Sequence, residues 1–348
     1  MTERVLTVRE LNRALLARQL LLERKRLSPT AAIERVGPQH AQGVESTYVN
    51  LWSRVDGFRR DQLIRALARR AVVRGNVQRN TLHLHSAREY PLYHAALRTP
   101  RLDWLAGSWK HRYSEQQLRI AERTLAKATA AGPRPAAELI EALGGDRWLL
   151  TATGIRFGFV TAPPAGTWGF HGTSALTLAH PWLGAQPADP AHGMQHLVRH
   201  YFAAFGPATL DDLCFWAALR KRDVAPFVDD LELRRFRDER GRLLLDLPRS
   251  PLPPAETPAP PRFLLRWDNL YLGHASGERD RIVPPALRKR VYTVNTVMPA
   301  TFLVDGFVAG TWRHERDRVV LVPWRRLTAG ERKSLEDEVE GLADFLSG

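Results

Sequence analysis

Residues 59–85, RRDQLIRALARRAVVRGNVQRNTLHLH, decide the fold. RRDQLIRALARRA at 59–71 carries apolar residues at helical spacing, and the rest alternates apolar and polar residues around a Gly75-Asn76 turn. Helix followed by β-hairpin is the second half of a winged helix, so the first half is expected just upstream. There, 7–24 (TVRELNRALLARQLLLER) places Val8, Leu11, Leu15 and Leu22 on one face, with Thr7 as N-cap and Glu10 three residues on. Ser28-Pro29 opens a second short helix that Gly37 closes. Three short helices and a β-ribbon complete the unit.

The same order returns twice. SEQQLRIAERTLAKATAAG and RPAAELIEALGG read as helices, and DRWLLTATGIRFGFVTAP at 146–163 reads as strand. HGMQHLVRHYFAAFG and the Thr209-capped ATLDDLCFWAALRK then precede ELRRFRDERGRLLLDLP, a ribbon turning at Glu239-Arg240-Gly241. Residues 248–261 are too rich in proline to continue a helix or a central strand. Past them, PRFLLRWDNLYLG and TVNTVMPATFLVDGFVAGTWRHERDRVVLVPW read as antiparallel strands, with an Asp305-Gly306 turn. Thr328 and Glu331 sit in capping-box positions before a final amphipathic helix. The expected architecture is α+β: three tandem winged-helix domains at 1–111, 112–188 and 189–250, a linker at 251–261, and a small antiparallel β-barrel with a C-terminal helix at 262–348.

A net charge of +14 favours a polyanionic partner. Only six of the 51 basic residues are lysine, and arginine is the side chain suited to bidentate phosphate and guanine contacts. Biased codon usage explains a preference for arginine equally well, but not the excess of positive charge. One cysteine, Cys214, excludes a disulfide framework. The charged N-terminus is not that of a signal peptide, and no apolar run reaches the ~20 residues of a membrane span, so a cytoplasmic protein, nucleoid-associated when bound to DNA, is expected.

Residues 37–58, GPQHAQGVESTYVNLWSRVDGF, are polar where a winged helix usually has a plain apolar turn. In an extended backbone His40 and Gln42 point to one side and Ala41 to the other, so an imidazole and an amide share a volume that holds a water. The same spacing also suits a turn cluster that satisfies nearby backbone groups.

This segment resembles the AlkZ-like winged-helix DNA glycosylases, which excise N7-alkylated purines and in some members unhook interstrand crosslinks. The family has a Gln-x-Gln motif followed by a segment like S-x-Y-x-x-L-W-x-R, matched here by Ser46, Tyr48, Leu51, Trp52 and Arg54. Counting back, the motif positions fall on His40 and Gln42, so histidine replaces the first glutamine. A register using Gln39 and Gln42 requires a one-residue bulge. QRNTLHL, with Arg79, Thr81, Leu82 and His83, also matches a family stretch, and WDNLYLGHASGERDR, with Asp268, Asn269, His274, Arg279, Asp280 and Arg281, and the later VDGFVAGTW resemble the family's C-terminal region. The resemblance implies a monofunctional glycosylase in which Gln42 positions a water and His40 positions or deprotonates it. It also implies DNA contacts from Ser46, Tyr48, Asn50, Thr81 and His83, and a hairpin near Arg279 to Arg281 that probes the minor groove.

Arg59, Arg60, Arg65, Arg69, Arg70, Arg74 and Arg79 gather around the first ribbon as a phosphate-tracking face or as ordinary solvated charge. The lysine nearest the motif is Lys25, which disfavours Schiff-base chemistry, and no Asp/Glu cluster with histidine stands at metal spacing. His83 and His85 lack a third ligand, and the tryptophans and the Tyr201, Phe202, Phe205 run read as core. The expectation is therefore an enzyme without metal or cofactor, acting as a monomer on double-stranded DNA that carries alkylated guanine or adenine. Its rival is a non-enzymatic winged-helix regulator, which has no need of the His40/Gln42 pair and binds one sequence far more tightly than random duplex.

Overall fold

The computed structural model describes residues 3–292, 298–316 and 318–348. Its first helix, Val8–Arg18, starts where the sequence places it: Thr7 accepts from the Glu10 backbone, and the Glu10 carboxylate accepts from the Thr7 backbone. The helix stops before Leu20, whose φ of 58° cannot continue it. Pro29–Val36 is capped by Ser28 and ended by Gly37 at φ 89°. Helix Arg60–Ala68 leads into strands Val72–Asn76 and Leu82–Ser86.

The hairpin turns later than expected. Gly75 and Asn76 stay in the strand, and the reversal is made by Arg79 and Asn80, both with left-handed backbones. Gly75 is required for packing instead: a Cβ there would lie 2.6 Å from the Tyr90 ring and 3.2 Å from the Phe159 carbonyl. That close approach lets a second hairpin, Phe159–Ala162 with Ala175–Leu178, pair with Val72–Asn76 through Arg74↔Thr161 and Gly75↔Val160. The result is one antiparallel sheet in the order Gln39–His40, Leu82–Ser86, Val72–Asn76, Phe159–Ala162, Ala175–Leu178, Arg134–Pro135.

Residues 146–163 are only partly the expected strand. Asp146 accepts from the Trp148 and Leu149 amides, and Gly158 at φ 83° ends an eleven-residue helix, Arg147–Phe157, before the strand begins. Helix Tyr90–Ser108 was not legible in the periodicity, because aromatic and polar residues are buried on several of its sides.

Helices Pro190–Phe205 and Leu210–Ala217 lead to the third hairpin, Arg234–Asp238 with Leu243–Asp246, turned by Gly241 at φ 76°. The N-terminal strand Arg4–Leu6 adds to it in parallel. Past the proline-rich stretch, Arg262–Leu264, Thr301–Val304, Phe307–Glu315 and Arg318–Pro323 form an open four-stranded antiparallel sheet. This is not the expected barrel, since four short strands do not close on themselves, and helix Ala329–Ser347 covers the apolar side through Leu335 and Leu342. DNLYLG is also not a strand: Asp268 caps a one-turn helix, Asn269–Leu272. The strand expected at 293–297 lies outside the described residues. The largest apolar cluster runs from Leu15 to Val308 through Tyr90, Tyr93, Tyr201, Phe205 and Trp216, so helices far apart in sequence share one interior. No helix is long and apolar enough to cross a membrane among the described residues.

Candidate active site and nucleic-acid groove

Gly37 turns the chain out of helix Pro29–Val36 and into the two-residue strand Gln39–His40, which pairs with Leu82–Ser86 through Gln39↔Leu84 and His40↔His83. The next peptide is held from both sides: the Ala41 amide donates to the Leu82 carbonyl at 2.7 Å, and Arg74 Nε donates to the Ala41 carbonyl at 3.0 Å. Strand alternation then sorts the side chains. Gln39 turns inward and donates to the Gly37 carbonyl at 3.0 Å. Ala41 joins the apolar cluster of Tyr48, Leu51 and Leu84. His40, 5% exposed, and the exposed Gln42 face one another.

Burial and then the nearby Arg79 charge push the His40 pKa down to about 4, against a hydrogen-bonding interaction with the Gln42 side chain that favours the protonated ring. At neutral pH the imidazole is therefore uncharged, with Nδ1 lacking a hydrogen-bond partner. Its ring stands edge-on to His83 at 5.4 Å between centroids, and 5.1 Å from the Trp267 ring. His83 Nδ1 donates to the Thr81 carbonyl at 3.0 Å, which fixes its tautomer.

Trp267 has a φ of 56°, a backbone that costs a bulky residue about 1–2 kcal/mol. Its neighbour holds it there. Asp268 caps the next helix and makes two hydrogen bonds, at 2.6 and 2.7 Å, with Arg54, and both side chains are fully buried.

Trp267, whose ring meets His40, also lines a groove of about 1020 Å³. Gly43 and Ser46 form one wall, Trp168 and His171 another, and Arg266, Trp267, Arg313 and His314 come from the C-terminal part. No lysine is among the described residues that line it. Arg60 lies over the Trp168 ring at 4.0 Å, adding a cation to the rim. Two arginines, one glutamate (Glu45) and half-buried tryptophan rings thus line the groove, and an uncharged imidazole with a lone pair packs against one of those rings, Trp267. That combination suits a sugar–phosphate chain and the activation of water.

The sequence model of the AlkZ-like DNA glycosylases matches residues 33–345. The chain belongs to this family. Among solved structures, Streptomyces sahachiroi DNA glycosylase AlkZ superposes with a TM-score of 0.83 at 20% identity, covering 98% of this chain and 97% of that one, a likeness of fold. No curated protein matches the sequence. As an AlkZ-like glycosylase the chain is a DNA-binding protein of DNA repair.

In this AlkZ-like chain the expected DNA contacts divide into two groups. Ser46 lines the groove, Arg59 is exposed, and Arg60 sits on its rim. Tyr48 and Asn50 are buried and face inward instead. The Tyr48 hydroxyl donates to the Gly166 carbonyl at 3.3 Å and accepts from the Trp168 amide at 3.1 Å. The Asn50 side-chain oxygen accepts from the Leu265 amide at 3.1 Å. Both therefore hold groove walls from behind. Arg74 is buried against Ala41, and half-buried Arg79 donates to the Leu272 carbonyl at 3.3 Å. Thr81 Oγ1 donates to the Gln78 carbonyl.

Residues 276–281 form a 3₁₀ turn rather than a hairpin. Arg281 is buried there, donating to the Pro207 carbonyl at 2.9 Å and to Glu278 at 3.0 Å, while Arg279 lies over the Tyr292 ring. The groove residues of 168–171 and 313–314 carried no signal in the sequence, because nothing local distinguishes a surface tryptophan or arginine that faces a groove, whereas Thr311 and Trp312 end the VDGFVAGTW stretch that is similar to the family. Trp267 did carry one, in the WDN stretch whose resemblance singled out only its neighbours.

Proposed function

We propose that this protein is a monofunctional glycosylase that hydrolyses the N-glycosidic bond of N7-alkylated purines in double-stranded DNA, bulky and crosslinked adducts included. The observation that carries the reading is the pairing of a neutral, nearly buried His40 with an exposed Gln42 beside a cationic, aromatic groove. An N7-alkylguanine already carries positive charge. As the C1′–N9 bond breaks, its electron pair neutralises the base, which needs no general acid to leave. The sugar develops oxocarbenium character, and a water held at C1′ by Gln42 forms the new C–O bond while its proton passes to His40. The absence of lysine from the described residues that line the groove supports simple hydrolysis over a Schiff-base lyase. The open groove lets an adduct tied to the opposite strand be reached without complete extrusion from the stack.

The test is incubation with duplex containing N7-methylguanine, scored by free base and by alkaline cleavage at abasic sites. His40→Ala and Gln42→Ala should each slow single-turnover release by about 10²-fold or more, the usual contribution of a positioned proton acceptor. Wild-type rates in both folded variants sink the assignment. Tight binding of one sequence without base release returns the protein to the regulator class.

A further inference from the structure

Outside the groove lining, helices Tyr90–Ser108 and Pro190–Phe205 bring together three side chains that the glycosylase reading does not use. His196 and His200 stand one helical turn apart, so both point to the same side of their helix. Facing them is Glu89, the residue that begins the other helix, with its amide fixed by the Ser86 hydroxyl at 3.1 Å. His196 Nε2 is 3.4 Å from Glu89 Oε1, and His200 Nδ1 is 3.8 Å from the same oxygen. The three donor atoms all lie within 4.8 Å of one another. Glu89 is 6% exposed, His200 8%, and the His196 side chain 24%. His196 Nε2 is buried without a hydrogen-bond partner. A tetrahedral zinc ion with bonds of about 2.0–2.2 Å separates its ligand atoms by roughly 3.3–3.5 Å. The Glu89–His196 pair already meets that separation; the Glu89–His200 pair at 3.8 Å and the two imidazole nitrogens, within 4.8 Å of each other, reach it by rotation of the histidine side chains.

We propose that Glu89, His196 and His200 form a divalent transition-metal site, with zinc as the preferred ion. Two imidazoles and one carboxylate suit zinc better than calcium or magnesium, which take mainly oxygen ligands. The fourth position falls to water or to the Tyr93 hydroxyl, which now hydrogen-bonds His200 Nδ1 at 2.7 Å. The role is structural. None of the three residues lines the groove, and the ion ties two helices to the end of the strand Leu82–Ser86, whose His83 faces His40. Sequence spacing shows no such cluster, because Glu89 lies more than a hundred residues before the histidines.

The experiment uses tag-free, full-length protein stripped with a chelator and titrated with zinc chloride, with magnesium chloride as control. Metal content is read by mass spectrometry, stability by thermal unfolding, and geometry by the visible spectrum of the cobalt(II) form. The expected result is one equivalent of zinc, a rise in Tm of several degrees with zinc and none with magnesium, and an intense tetrahedral cobalt band. His196→Gln, at the most exposed of the three positions, should leave the metal-free fold and Tm unchanged while abolishing the zinc-dependent rise and the cobalt band. Glu89→Gln should weaken zinc binding at least tenfold. Less than a tenth of an equivalent bound by wild type, or equal binding by wild type and His196→Gln, overturns the site. Base release from N7-methylguanine is expected to continue in His196→Gln, so failure of this proposal is distinguishable from failure of the glycosylase reading.

Discussion

A histidine whose pKa falls from 6.5 to about 4 changes both chemistry and stability. As the pH drops through that window the unfolded chain takes up a proton that native His40 refuses, so the native state loses stability on acidification. The proton-accepting role depends on the neutral ring and survives until the pH approaches the folded value. Base release by the folded enzyme should therefore be flat through neutrality and decline with an apparent pKa near 4. An acid limb centred near 6.5 in a single-turnover pH profile contradicts the environment described for His40. Trp267 offers a second residue-scale measurement, because its ring contact and its backbone strain separate. Trp267→Ala and Trp267→Gly both remove the ring beside His40, but only glycine accepts a φ of 56° at no steric cost. Trp267→Gly should be about 1 kcal/mol more stable than Trp267→Ala in urea unfolding. Equal stabilities would mean that the backbone relaxes once the ring is gone.

Elements in this chain are fixed by capping residues and by single close approaches. The Thr7/Glu10, Thr209/Asp212 and Thr328/Glu331 capping boxes all form. Two of them were legible from residue spacing, and at the third only the Thr209 cap was. Gly75 acts between elements: it lets two hairpins share one sheet while the Tyr90 hydroxyl donates to the Phe159 carbonyl at 3.1 Å. Tyr90 is fully buried, and that hydrogen bond holds its ring in place. Gly75→Ala should therefore cost about 1–3 kcal/mol, the range for overpacking, read as a lower urea midpoint at unchanged slope. A neutral result would show that the seam between the hairpins is loose. The misreading of this glycine as a turn residue has the same origin, since Gly-Asn signals a turn locally and only the Tyr90 ring reveals the other use.

At the scale of the whole molecule, the charge of +14 acts through where it is presented. Arg60, Arg266 and Arg313 stand at or in the groove, whereas Arg54, Arg74 and Arg281 are buried. Affinity for duplex DNA should fall linearly in log–log form with salt, and neutralising Arg266 and Arg313 together should lower the slope by about 2, one unit for each phosphate left without its arginine. Unchanged slope in Arg266→Gln/Arg313→Gln removes the groove from the DNA path. The sequence by itself determined the starts of the helices capped by Thr7, Ser28, Thr209 and Thr328, two of the hairpin turns, the excess of positive charge and the spacing of His40 and Gln42, because these rest on contacts within a few residues or on composition alone. Tertiary structure alone decided that two hairpins fuse into one sheet and that the C-terminal strands stay open. It also decided that Tyr48 and Asn50 turn inward, that Trp267 meets His40, and that Glu89 reaches two distant histidines. Burial, dielectric environment and electrostatic coupling depend on distance through space, and chain spacing carries no record of which remote segment will close that distance.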